Sequence, residues 1–248
     1  MLTIPEDSEQ IDIDIKNITK HWSPILEIVN FLCDVCKNRQ YEKIIELGPG
    51  KVPFPISTHV VDNDQKALDR LQNKILYNIN LNIEKVNADE NYFDFCYARH
   101  IFEDVQNPDF MFEHITKQCK MGYIETPSPL IECMKYVDCS SDAKYRGYHH
   151  HRYIVWTENN ELHFLPKMPI IEYINIEPEY EKSMYELAKN PFYWNNYYMW
   201  DKDEKFGNIN LPKCIMHEYS MDSYAELLLH AIKSSIEHTN RNIFITKN

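Results

Sequence analysis

Apolar residues recur at helical spacing over residues 22–37, at Ile25, Ile28, Val29, Leu32, Cys33 and Cys36, and predict a helix. Lys43-Ile44-Ile45-Glu46-Leu47 follows as a short apolar strand, and His59-Val60-Val61-Asp62 reads as a second. Residues 65–78 predict a helix with Leu68, Leu71 and Ile75 on one face. A third strand is expected near Ile83–Asn87 and a fourth over Tyr92–Ala98. Asn107-Pro108 has the form of an N-cap with proline at the first helical position. The helix it opens carries Phe112, Ile115 and Cys119, and Met121-Gly122 is expected to break it before a fifth strand, Tyr123–Glu125. Strands alternating with helices over residues 40–126 predict an α/β fold with a doubly wound, mostly parallel sheet.

The second half has a different rhythm. Arg152–Thr157 and Glu161–Pro166 flank Glu158-Asn159-Asn160, a hairpin signal. A short helix is expected at 179–189 and a strand at Lys213–Tyr219. Ser223-Tyr-Ala-Glu226 has capping-box spacing within a final helix of about 221–238. Between them, Phe192–Trp200 holds six aromatics in nine residues. At the other end, residues 1–18 alternate at Ile11, Ile13 and Ile15 and are expected to form a tail or an edge strand.

Composition narrows the class. Of 248 residues, 44% are hydrophobic and 26% charged, which suits a globular domain and excludes collagen, coiled coil or wholesale disorder. No apolar run approaches the ~20 residues of a membrane span, and residues 1–20 are acidic, so neither a membrane partner nor a leader is expected. Net charge is −12 with no dense Lys/Arg stretch, which argues against nucleic acid as a partner. The seven cysteines include a Cys33-x-x-Cys36 inside the first helix, without a second pair at zinc spacing. Reduced thiols in a cytoplasmic protein are expected, and no metal.

Glycine is the most informative residue. There are five, where average usage of roughly 7% gives about 17. Two of them, Gly48 and Gly50, lie one residue apart after the first strand, where the backbone of an open α/β sheet approaches its ligand. Asp62 ends the next strand, in position to accept hydrogen bonds from a ribose.

Glu46-Leu47-Gly48-Pro49-Gly50, Val61-Asp62, Asn87-Ala88-Asp89, Phe93-Asp94-Phe95, Ala98–Val105 and Lys120-Met121-Gly122-Tyr123 stand in order and at plausible spacing. Together they resemble class I S-adenosylmethionine-dependent methyltransferases of the broad type 11 kind, over residues 40–130. The resemblance implies a Rossmann-like sheet ending in an antiparallel hairpin, with S-adenosylmethionine across its carboxyl edge. It implies cofactor contacts from Glu46, Gly48, Pro49, Gly50, Asp62, Asn63, Asp89 (near adenine), Ala98, Arg99 and His100 (near the methyl donor). The chain would then divide into a tail and helix (1–39), the cofactor core (40–130) and a substrate-side hairpin with an aromatic-rich α+β extension (131–248), all in one compact domain.

One departure stands out. Lys51-Val52-Pro53 replaces the family's further glycine, and residues 51–58 span at most about 26–29 Å, too little for a return and a crossover helix. A group of bacterial proteins in that family shares this loop and the look of Tyr123–Pro129 and His151-Arg152-Tyr153. Several are linked to glycan assembly. The expected activity is therefore methyl transfer to a small molecule or glycan, at oxygen, with a homodimer as the expected assembly. Two alternatives stay open: a catalytically silent methyltransferase-like binding module, and a methyltransferase acting on nucleic acid or protein. Asn107-Pro108-Asp109-Phe110 lacks the second proline of the Asn-Pro-Pro-aromatic motif of nucleic-acid amino methyltransferases.

An oxygen acceptor must lose a proton, and histidine is the usual base. His100, His150 and His151 are the candidates, the last two from the run His149-His150-His151. Tyr153, Trp194 and Tyr197 are the candidate substrate contacts, because aromatic faces beside amides suit a sugar.

Overall fold

Six strands form the main sheet of the computed structural model, which describes residues 26–50, 53–138, 145–207 and 209–242. They are β1 (Ile44–Leu47), β2 (His59–Asp62), β3 (Ile75–Asn78), β4 (Phe93–Arg99), β5 (Cys119–Pro127) and β8 (Asn195–Asp201), in the spatial order β3-β2-β1-β4-β5-β8. The first five are parallel and β8 runs antiparallel to β5. Strands β1 and β4 are buried on both faces, as a parallel sheet covered on each side requires. The fold is the doubly wound, mostly parallel α/β sheet predicted above. Strand order reverses between β1 and β4, whose carboxyl ends meet at Leu47 and Ala98. Ligands of open α/β sheets lie outside that point.

Helix α1 (Leu26–Asn38) buries Val29, Leu32, Cys33 and Cys36 against Phe54, Phe95 and Tyr97. Each large apolar side chain so covered contributes about 1.5–3 kcal/mol. Helix α3 (Pro108–Gln118) covers the other face with Met111, Phe112 and Ile115. Asn107 precedes it as expected, but its amide donates to the Asn82 carbonyl and makes no cap bond.

Four expectations need correction. The helix predicted over 65–78 ends early: α2 covers only Gln65–Leu68, a 3-10 turn follows, and Ile75–Asn78 is β3. The strand expected near 83–87 is irregular backbone. The twelve residues from Asn63 to Lys74 are just enough for a β2-to-β3 crossover, so Ile75 starts a strand although its spacing from Leu68 and Leu71 is helical. Gly122 breaks nothing. It lies inside β5 opposite Trp200, and a Cβ there would sit 2.1 Å from the indole, so glycine makes room for the ring. Likewise the predicted hairpin does not end the main sheet.

That hairpin, β6 (Tyr153–Glu158) and β7 (Glu161–Pro166), builds a second sheet with β9 (Cys214–Met216). Asn159 and Asn160 both have positive φ, the turn that matches strand twist in a two-residue loop. Alternation splits its side chains: Val155 and Phe164 join the main core, while Ile154, Trp156 and Leu165 pack under α6 (Tyr224–Asn242). Helix α5 (Pro178–Ala188) falls where a short helix was expected. Ser223 precedes α6, but its hydroxyl bonds to Ser220 rather than closing a capping box. The alternating segment 1–18 lies outside the described residues.

Candidate active site

Gly48 and Gly50 both adopt left-handed backbone at the carboxyl end of β1, with φ of +61° and +52°. A Cβ on Gly48 would reach within 2.8 Å of Ile101 Cδ1, so this glycine lets the loop after β4 lie against the turn. Around Gly50 a Cβ would meet nothing within 4 Å. The turn, with Pro49 between the two, thus presents an open cradle at the switch point. No helix follows it among the described residues 53–58. Glu46 faces that loop. Its Oε1 accepts the Phe54 N–H at 2.7 Å and its Oε2 the Ser57 hydroxyl at 2.7 Å. Both oxygens are committed to the chain itself, and burial pushes the carboxyl up to about 7.

Asp62 closes β2 beside the turn, half-buried. Its Oδ1 accepts the Asp64 N–H at 2.8 Å, and among the described residues Oδ2 has no hydrogen-bond partner. Asn63 is exposed next to it. Asp89 is elsewhere. It precedes the amino end of β4, and Asn91 nearby donates to the Lys117 carbonyl before β5. This is the opposite edge of the sheet, and the displacement follows from β3 lying earlier in the chain than expected. The residues beyond the carboxyl end of β3 are Ile79 to Asn82, with Asn82 Oδ1 accepting the Gln106 N–H.

At the end of β4, Ala98 is buried and Arg99 donates to Glu125 Oε1 at 2.8 Å. Glu125 also accepts from the Tyr123 hydroxyl and from Asn195 Nδ2, so a carboxylate only 2% exposed holds three elements together. His100 has positive φ (51°), strained for a residue with a Cβ, and its N–H donates to the Glu125 carbonyl. Its Nδ1 lies 3.3 Å from Glu103 Oε1.

The three histidines diverge. His149 pairs with Glu172 at 2.8 Å. His150 is exposed, and its pKa is lowered by partial burial and by His151. His151 is buried, with Nδ1 2.6 Å from Glu132 Oε1. Burial opposes charge on that ring, but the bond to Glu132 outweighs it and raises its pKa. Glu132, despite burial, is pulled below the ordinary range by His151 and by Lys167, 2.8 Å away. Glu132 lies in a short helix, α4 (Pro129–Glu132), capped by Ser128. Gly147 (φ +62°) permits the arrangement, since a Cβ there would stand 2.5 Å from the Glu132 carbonyl oxygen. The start of β6 docks on the loop after β4, where Arg152 and Tyr153 donate to the Glu103 carbonyl. Hence His151 and His100 border one region, with Asp104 between strands β4 and β6. Burial, then Glu103, pushes Asp104 up to about 6.

Of the substrate candidates, Tyr153 stands over this region and donates to the Gln106 carbonyl. Trp194 is a correction: it is buried in a packing cluster and its Nε1 donates to the Ala188 carbonyl, leaving no ring face for a ligand. Tyr197 points to the other side of the sheet. It lines a cavity of about 520 Å³ between α1 and the β5–β8 edge, with Phe31, Val35, Met121 and Met199. That cavity shares only Tyr197 with the predicted site residues. Its lining is mainly apolar, with Arg39, Asp201 and His238 also in it, and it includes neither the glycine turn nor the carboxylate–histidine cluster, so the carboxyl edge is the better candidate for chemistry.

Sequence reasoning missed Glu103, Asp104, Glu125, Glu132 and Lys167. Two signals pointed their way: a glutamate inside a strand that must be buried, and Gly147 in a chain that avoids glycine.

No protein-family model matches the chain, and no curated protein does. Among solved structures, an S-adenosylmethionine-dependent methyltransferase from Mesorhizobium loti aligns over 38% of this chain and 50% of its own, at 15% identity and a TM-score of 0.33. One from Clostridium acetobutylicum aligns over 58% and 62%, at 11% and 0.39. Coclaurine N-methyltransferase, bound to N-methylheliamine and SAH, aligns over 42% and 36%, at 10% and 0.35. Alignments this partial say nothing of activity, and the fold rests on the strand order itself.

Proposed function

We propose that the chain is an S-adenosylmethionine-dependent methyltransferase acting at an oxygen of a small molecule or glycan. The observation that carries this is the open Gly48-Pro49-Gly50 turn at the sheet's switch point, with Asp62 Oδ2 beside it unpartnered among the described residues and His100 across from it. A cofactor of this shape suits such a cradle, with backbone approach at Gly50 and the ribose hydroxyls at Asp62. S-adenosylmethionine, when bound, supplies an electrophilic methyl group on a sulfonium.

The protein's own part is positioning and proton removal. His100, with Nδ1 3.3 Å from Glu103 Oε1 and Nε2 3.7 Å from Glu125 Oε1, is the base that would take the acceptor's proton. Glu125 fixes the β4 end through Arg99 and the His100 backbone. Tyr153 and the loop after β4 border the acceptor's space. Calorimetric titration with S-adenosylmethionine tests the reading. Saturable 1:1 binding that weakens in Asp62→Ala supports it, and no heat at about millimolar cofactor overturns it in favour of a silent binding module.

A further inference from the structure

We propose that Asp104, His150 and His151 form a binding site for one divalent first-row transition-metal ion of the zinc type. The side chains come from the loop after β4 and from the approach to β6, and one ligand atom of each lies within 4.8 Å of the others. His151 Nε2 is 4.0 Å from Asp104 Oδ1. That is too long for a hydrogen bond. Two donors about 2.0–2.2 Å from one tetrahedral ion stand about 3.4 Å apart, so a side-chain shift of about half an ångström brings this pair to ligand separation. His150 is exposed and packs edge-on against His151, so a small ring rotation completes the set.

Three further observations favour a cation at this position. Asp104 Oδ1 is buried and has no hydrogen-bond partner among the described residues. Glu103 is 1% exposed and its Oε2 is equally unpartnered, although it lies close enough to act on the charge of Asp104, His150 and His151. Glu132 is met by Lys167 and His151 and Glu103 by His100, while Asp104, its side chain 39% exposed, has His151 alone at 4.0 Å among the described residues. A buried carboxylate oxygen without a partner is costly unless a cation offsets it.

The orientation of His151 agrees. Its Nδ1 is engaged by Glu132, whose other oxygen binds Lys167, so Nε2 is turned toward Asp104. A carboxylate behind the imidazole is the usual support of a metal-ligating histidine. Two imidazoles and one carboxylate leave open coordination positions, as in catalytic zinc sites, and suit imidazole-preferring ions over magnesium or calcium. The proposal departs from the expectation of no metal. The run of histidines hid the site because the carboxylate lies 46 residues earlier than His150. On the methyltransferase reading, the open positions would hold an acceptor oxygen beside His100. The metal site itself does not depend on that reading.

The test is titration of the full chain, stripped with chelator and free of cofactor, with Co²⁺, following visible absorption and calorimetric stoichiometry. One ion per chain is expected, with bands distinct from aqueous cobalt. Asp104→Asn and His150→Ala should each weaken binding at least about tenfold, while His230→Ala, at a remote surface pair, leaves it unchanged. Both ligand positions are accessible and their urea midpoints check folding. His151→Ala would strand Glu132 and is unsuitable. Absence of stoichiometric binding at about 1 mM Co²⁺, or unchanged affinity in the folded D104N/H150A double variant, overturns the site. Cofactor titration of the stripped protein is read separately, so cobalt binding without cofactor binding defeats the enzyme reading alone.

Discussion

The two sides of the switch point are built by opposite means. On the β1–β2 side, backbone does the work: two left-handed glycines make the turn, and the buried acid there, Glu46, is consumed by the loop it ties down. On the β4–β6 side, side chains do it. Glu103, Glu125, Glu132, Arg99, Lys167, His100 and His151 converge from positions up to 68 residues apart in the chain, Arg99 to Lys167. A backbone site costs little to desolvate and offers shape. A side-chain site is electrostatically loaded, and buried charges persist only where partners compensate them. Shape on one side and proton chemistry on the other is the division that the proposed reaction would use.

The comparison can be broken most sharply at His100. His100→Ala should leave the fold intact by circular dichroism and lower kcat by about 10²–10⁴, the range for loss of a general base. A loss under about threefold would remove the charged side's catalytic role. Next, Glu132→Ala should destabilise the protein by about 3–5 kcal/mol in urea denaturation, because it strands buried Lys167 and His151. Less than about 1 kcal/mol would mean that the network bears no weight.

Glu46 sharpens the contrast through pH. Its folded pKa of about 7 stands above the ordinary 4.5, so the folded state holds this proton more tightly. Its contribution is full below about 4.5 and is lost as pH rises through 7, by about 3 kcal/mol at most. Glu46→Gln keeps one acceptor, for the Phe54 N–H, and presents an amide donor to the Ser57 oxygen, and it should remove that slope when urea midpoints at pH 5 and pH 7.5 are compared. Glu132, with a lowered pKa, slopes the other way and loses its contribution on acidification. The smallest effect belongs to Gly50→Ala: about 1–2 kcal/mol of backbone strain with no clash, yet weaker cofactor binding because the cradle is filled.

What could be read from sequence follows the same line. The glycine turn, β1, β2, β4 and the hairpin were legible because local chemistry dictates them: left-handed turns need glycine, and buried parallel strands need short apolar runs. The register of β3 was not, since Ile75 fits a helical and an extended pattern alike, and with β3 misplaced Asp89 was assigned to the wrong edge. Trp194 was read as a ligand surface although its neighbours bury it, because composition does not tell a binding aromatic from a core one. The carboxylate–histidine network was invisible for a deeper reason. Its pairs, such as Glu132 with His151 and Lys167, are made by tertiary folding, and no local period announces them.

The most direct measurement is a crystal structure with S-adenosylhomocysteine bound. The account predicts the ligand across the carboxyl edge, its ribose on Asp62, its backbone contact at Gly50 and its sulfur facing His100. Ligand seated instead in the apolar cavity beside Tyr197, or on the amino edge near Asp89, would contradict it.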